Sequence, residues 1–171
     1  VPQDWDRERI ARGVERVRNP WNELVLRQHL LVSAPGAQGE PDEIERASQL
    51  EALSKLHLDL REYEAAIHYA EQRGELLRNA GQSDWWSKLM IGLARHRRAD
   101  RSLSRGRFSE EYVRESEELA TSVQAVATSQ NPDAIALKAL VLARIYGDLG
   151  DKAKAAELMR GVDISSVDDE I

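Results

Sequence analysis

The sequence predicts an all-α protein of antiparallel helical hairpins, and three observations carry that prediction. Alanine and leucine supply 21 and 20 of the 171 residues, against five prolines and ten glycines, a balance that favours helix interiors. Apolar residues recur every three or four positions, as in Ile10, Val14, Val17, in Leu50, Leu53, Leu56, Leu60, and in Ile135, Ala139, Leu142, Ile145, Leu149. No segment sustains the apolar–polar alternation of a half-buried strand. Capping signals then fall between the stripes, where helices should begin and end.

Taken in order, the elements are eight helices near 4–18, 20–32, 42–60, 62–79, 84–104, 109–128, 132–149 and 151–161. The first rests on its Ile10-Val14-Val17 stripe. Asn19-Pro20 opens the second, an N-cap followed by proline at the first helical position. Pro41 opens the third after the polar loop 33–39, and the fourth runs towards a stop at Gly81. Ser83 before Asp84 starts the fifth, and Ser109 before Glu110 and Glu111 starts the sixth; each joins a capping hydroxyl to acids that suit the positive end of a helix dipole. Asn131-Pro132 repeats the Asn-Pro signal for the seventh, and Gly150 separates it from the eighth. Connections this short make consecutive helices antiparallel neighbours. Residues 1–161 therefore read as a single domain of hairpins near 4–32, 42–79, 84–128 and 132–161. Residues 162–171, with Ser165, Ser166, Asp168, Asp169 and Glu170, read either as an acidic tail or as the first turn of a truncated helix.

Composition narrows the chemistry. With no cysteine there is no disulfide framework, thiol nucleophile or cysteine-based zinc site. That absence leaves the compartment open between cytoplasm, which we favour, and export, and Val1 in place of methionine reads as a processed or excised chain. No apolar run reaches the length that spans a bilayer. His29, His57, His68 and His96 fall in no metal-binding spacing. Gly36 and Gly39 lie in a polar loop with no strand before them, so they are no phosphate loop. Adjacent acids such as Glu117-Glu118 diverge on a helix and read as solvation. Nothing in these patterns argues for an enzyme or a cofactor.

Charge is unevenly spread. The net charge of −6 argues against general attraction to nucleic acid or anionic membrane. Yet Arg95, Arg97, Arg98, Arg101, Arg105 and Arg107 stand against the single acid Asp100, and five glutamates follow between Glu110 and Glu118. The two runs either face each other across a hairpin, stay solvated, or leave a basic patch for an anionic partner.

Two segments are alike. Leu50–Arg73 contains Ser54, His57 and Arg61-Glu62-Tyr63-Glu64-Ala65-Ala66, and Ala139–Met159 contains Ala143, Tyr146, Gly150-Asp151 and Ala155. Both resemble the tetratricopeptide repeat, a helix-turn-helix unit of about 34 residues. The resemblance implies small residues where paired helices approach, at Ser54, Gly92 and Ala143 in first helices and at Ala66 and Ala155 in second helices. It places His57 and Tyr146 at a packing aromatic position. The spacing of Ser54, Gly92 and Ala143 exceeds 34, so the hairpins are longer than in the regular family, or the chain is an irregular helical bundle.

In such repeats the first helices line a concave binding surface. The resemblance therefore implies a groove lined by Lys55, Asp59, Trp86, Leu89, Leu93, His96, Arg97 and Arg144, suited to an acidic protein or peptide. The asparagines of the family's carboxylate clamp are absent from these positions. Trp85-Trp86 point about 100° apart on a helix, and read either as core packing or as a binding anchor. Expected function is a non-catalytic protein- or peptide-binding scaffold, in the manner of a regulatory segment. The alternative is a nucleic-acid-binding domain using Arg95, Arg98, Arg101, Arg105 and Arg107. Oligomeric state is not legible.

Overall fold

The computed structural model describes residues 7–14, 19–32, 43–102, 109–128, 131–160 and 162. They form eight helices: α1 Arg7–Val14, α2 Pro20–Val32, α3 Glu43–Asp59, α4 Tyr63–Asn79, α5 Trp85–Ser102, α6 Glu110–Gln124, α7 Pro132–Asp148 and α8 Lys152–Met159. Among the described residues there is no strand, and the helices pair antiparallel. The expected loop 33–39, the Pro41 start and the tail 163–171 lie outside the described residues.

The caps act where the sequence places them. Asn19 Oδ1 accepts from the Trp21 amide at 3.0 Å. Ser109 Oγ accepts from the Tyr112 amide at 3.2 Å. Asn131 Oδ1 accepts from the amides of Asp133 and Ala134, at 3.0 and 3.2 Å. Each occupies backbone donors that a helix leaves unpaired at its start. The fifth helix opens after Asp84 rather than Ser83, and Asp84 is buried and ion-paired to Lys88 at 2.8 Å. The sixth helix stops at Gln124, short of the expected 128. Lys138 Nζ reaches from α7 to the carbonyl of Val126 at 2.8 Å and also to that of Gln124, a cation placed on the negative end of a helix.

By packing, the chain groups into two compact units, Val1–Gln82 and Ser83–Ile171. In the first unit α1 packs on α2, α2 on α3 and α3 on α4. Its core holds Ile10, Leu24, Leu30, Leu50, Leu53, Leu58 and Ile67; each large aliphatic side chain so buried contributes about 1.5–3 kcal/mol. The α3–α4 contact closes on two small residues: buried Ser54 Oγ donates to the carbonyl of buried Ala66 at 2.9 Å.

In the second unit α5 packs on both α6 and α7, and α7 also on α6 and α8. The α5–α6 approach is set by Gly92, where a Cβ would lie 2.6 Å from Val123 Cγ2. In α7 and α8, Ala143 and Ala155 are half-buried, and α8 has no buried residue.

The two similar segments share their turn. After α3, the Arg61 amide donates to the Leu58 carbonyl at 3.1 Å and the Glu62 amide to that of His57 at 2.8 Å. After α7, the Gly150 amide donates to Gly147 at 3.1 Å and the Asp151 amide to Tyr146 at 2.9 Å. This pair of bonds is the Schellman termination, which needs one residue in the left-handed region. Gly150 fills it at φ 88°, and Arg61 fills it at φ 61° without the freedom of a glycine.

Candidate functional site

Two sets of side chains in the second unit carry its polar chemistry. The first joins α5 to α7. His96, 1 % exposed, donates from Nε2 to Asp148 Oδ2 at 3.0 Å. Arg144 Nε donates to the same oxygen, also at 3.0 Å, from one turn earlier on α7. The His96 ring stacks on buried Tyr112 of α6, with centroids 6.3 Å apart. A histidine oriented by a carboxylate is half of a general-base arrangement. Here the other nitrogen, Nδ1, is buried with no hydrogen-bond partner among the described residues. The cluster ties three helices together and presents Arg144 and part of Asp148 to solvent.

The second set lines a cleft of about 540 Å³ between α5 and α6. Arg95, Arg98 and Ala99 form the α5 wall. Glu115, Glu118, Leu119 and Ser122 form the α6 wall. The arginine run and the glutamate run thus meet across the hairpin at these four charges. Side-chain positions for Arg101 and the whole of Arg105 and Arg107 lie outside the described residues.

The first unit repeats the histidine theme. His57 is buried, donates from Nδ1 to Glu62 Oε2 at 2.6 Å, and stacks on Tyr69 at 5.2 Å. Its Nε2 has no hydrogen-bond partner among the described residues. Its counterpart Tyr146 carries Lys154 Nζ 3.8 Å above its ring, and the Tyr146 side chain holds that ammonium above its ordinary pKa.

The eight groove candidates separate into two groups. Trp86, Leu89, Leu93 and His96 are buried, all 3 % exposed or less, and form the face of α5 that packs into the second unit. A partner does not reach them, so core packing is the reading that fits Trp86. Lys55, Asp59, Arg97 and Arg144 keep access to solvent: Asp59 and Arg144 are exposed, and Lys55 and Arg97 half-buried. Lys55 pairs with Glu51 at 3.3 Å on its own helix. Asp148 was not singled out in the sequence; its signal is the four-residue step from Arg144.

No group of three or more His, Asp or Glu side chains among the described residues is placed to hold a metal ion. No described helix is long and apolar enough to cross a membrane. Comparison of the chain with protein-family profiles, curated proteins and solved structures finds no match. By its own packing the chain is an all-α protein of paired antiparallel helices, in keeping with helical-repeat folds in general.

Proposed function

We propose that the chain is a non-catalytic helical-repeat module of the tetratricopeptide type that binds a protein or peptide, as a regulatory segment does. The observation that carries this reading is the repeated hairpin. The His57–Glu62 and Tyr146–Asp151 turns use the same two backbone bonds, a termination that α4 also has at Leu77–Gln82, so the likeness rests on the small residues at Ser54 and Ala66 in one hairpin and at Ala143 and Ala155 in the other. Stacked hairpins of this kind bury their faces only against neighbours, and the surface they leave is extended, which suits a polypeptide ligand.

In the second unit the accessible groove candidates are the cations Arg97 and Arg144, and in the first they are Lys55 and Asp59, of opposite sign. The second unit's pair favours an acidic partner, with charge governing encounter and choice more than affinity. The basic-patch alternative loses ground at Arg95 and Arg98, which share their cleft with two glutamates.

The test immobilises the intact chain as bait beside an Arg97→Glu/Arg144→Glu variant of matched circular dichroism. The reading expects an acidic protein or peptide held by the native chain and lost from the variant. Equal retention would remove the groove assignment. Capture of nothing at either low or physiological salt would remove the binding function itself.

A further inference from the structure

We infer that Arg144 is a two-pronged anchor for a carboxylate of the partner, and that Asp148 and His96 are positioning residues that hold its guanidinium for that contact. The inference rests on the acidic-partner reading above and names the contact through which the second unit makes its choice.

Three side chains run in series from the core to the surface. His96 Nε2 donates to Asp148 Oδ2 at 3.0 Å, and Arg144 Nε donates to that same oxygen at 3.0 Å. Exposure rises along the series, from 1 % at His96 through 27 % at Asp148 to 58 % at Arg144. The buried imidazole, stacked on Tyr112, cannot meet a partner itself. It holds the carboxylate, and the carboxylate holds one edge of the guanidinium.

Arg144 commits only part of its donor set to this link. A guanidinium carries N–H groups on three nitrogens in a planar fork. Nε is the one engaged, and neither Nη group of Arg144 makes a hydrogen bond among the described residues. Those groups stand at the solvent end of an exposed side chain, and two parallel N–H···O bonds to one carboxylate need such a pair. Lysine in the same place would keep the charge and lose the fork.

A held arginine binds at lower cost than a free one. Gripping an exposed arginine removes rotamer freedom, and Arg144 has surrendered part of that freedom to Asp148 already. Asp148 also offsets the charge of Arg144, so the gain lies in orientation rather than in attraction from a distance. A carboxylate on the Nη side sits across the guanidinium from Asp148, where water and salt screen the repulsion between the two acids. The sign follows: neutralising Asp148 makes the surface more positive and yet weakens the contact.

The probe is a capped hexaglutamate peptide, with capped hexaglutamine as its neutral control, titrated into the intact chain at physiological salt. Calorimetry reads affinity, and nitrogen-15 NMR of the arginine side chains reads Arg144 directly. Hexaglutamate should slow rotation of the Arg144 Nη groups and separate their signals, and hexaglutamine should not. Arg144→Lys should weaken hexaglutamate about tenfold, as much as Arg144→Ala does. Asp148→Asn, which keeps the shape, should weaken it about threefold or more and broaden the Nε–H signal of the free chain. His96→Phe keeps a ring against Tyr112, loses the donor, and should act in the same direction.

Binding to Arg144→Lys as tight as to the native chain overturns the inference, because charge alone is then enough. Tighter binding to Asp148→Asn also overturns it, since Asp148 is then a competitor for Arg144. So do unaltered Nη signals with hexaglutamate present. If those signals stay unaltered while an acidic partner is still lost from Arg97→Glu/Arg144→Glu, the inference falls and the acidic-partner reading stands. If neither peptide nor partner is held, both fall.

Discussion

Glycine-to-alanine substitution should move stability in opposite directions at two helical positions of the second unit. At Gly147, exposed near the end of α7, an added Cβ meets nothing within 4 Å. Alanine there stabilises by about 0.5–1 kcal/mol, because it loses less backbone freedom on folding than glycine does. At Gly92 the same Cβ lies 2.6 Å from Val123 Cγ2, roughly 1 Å inside the 3.5–4.0 Å at which carbon atoms attract. Val123 is buried and β-branched, so its rotamer does not yield readily. Overpacking of this kind costs about 1–3 kcal/mol, and the propensity gain offsets only about 1 kcal/mol of it. The expected net result is destabilisation of up to roughly 2 kcal/mol. Urea unfolding followed by far-ultraviolet circular dichroism, with fluorescence of Trp85 and Trp86 as a second probe, reads both variants. Val123→Ala removes the offending methyl, so the Gly92→Ala/Val123→Ala cycle should show a favourable coupling of about 1 kcal/mol or more. If Gly92→Ala stabilises as much as Gly147→Ala, α5 and α6 do not approach as described, and the argument from small residues at hairpin crossings fails.

Three further outcomes follow from the geometry. Arg61→Gly should raise the unfolding midpoint of the first unit, relieving about 1 kcal/mol of left-handed strain, while Gly150→Ala should lower that of the second by a similar amount; differential scanning calorimetry of each variant checks both signs. Asp148→Ala strips the shared acceptor from His96 and Arg144, and leaving the buried His96 nitrogen unpaired should cost about 1–3 kcal/mol; a denaturation midpoint equal to that of the native chain contradicts the α5–α7 tie. Lys154 titrates above 10.5 in the folded chain because of Tyr146. A raised folded value means its stabilising contribution is complete below the unfolded value and is lost as pH rises through the folded one. Carbon-13 NMR of the Lys154 side chain should therefore show a midpoint above 10.5, falling back in Tyr146→Leu.

Much of the architecture is legible in local sequence because helix starts are local events. Asn19, Ser109 and Asn131 cap with their own side chains within three residues, and no tertiary knowledge is needed to read them. The end of α6 is different. Nothing between residues 124 and 128 stops a helix, and the carbonyls there are taken by Lys138 from the next helix. A sequence shows the lysine but not where it reaches. Small residues at crossings were legible as types, and Gly92 and Ser54 do sit at close approaches.

The candidate site was less legible, for a reason visible on α5. Trp86, Leu89, Leu93 and His96 share one face, and aligning that face with a repeat family's inner surface leaves it open to a partner. In this chain α5 packs on both α6 and α7, which covers that face. Periodicity identifies an apolar face and does not say how many neighbours cover a helix. The opposed charge runs were visible as runs, but only three-dimensional placement brings Arg95 and Arg98 into one cleft with Glu115 and Glu118. Asp148 was hidden for the complementary reason: its four-residue step from Arg144 is common on helices, and its partner His96 lies 52 positions away.

Hydrogen–deuterium exchange on the intact chain, with and without a captured partner, tests the binding account most directly. The account predicts slowed exchange in α5 and α7 around Arg97 and Arg144, little change in α8, and no change in the Arg97→Glu/Arg144→Glu variant. A partner that binds tightly while leaving exchange in both α5 and α7 unaltered would contradict it.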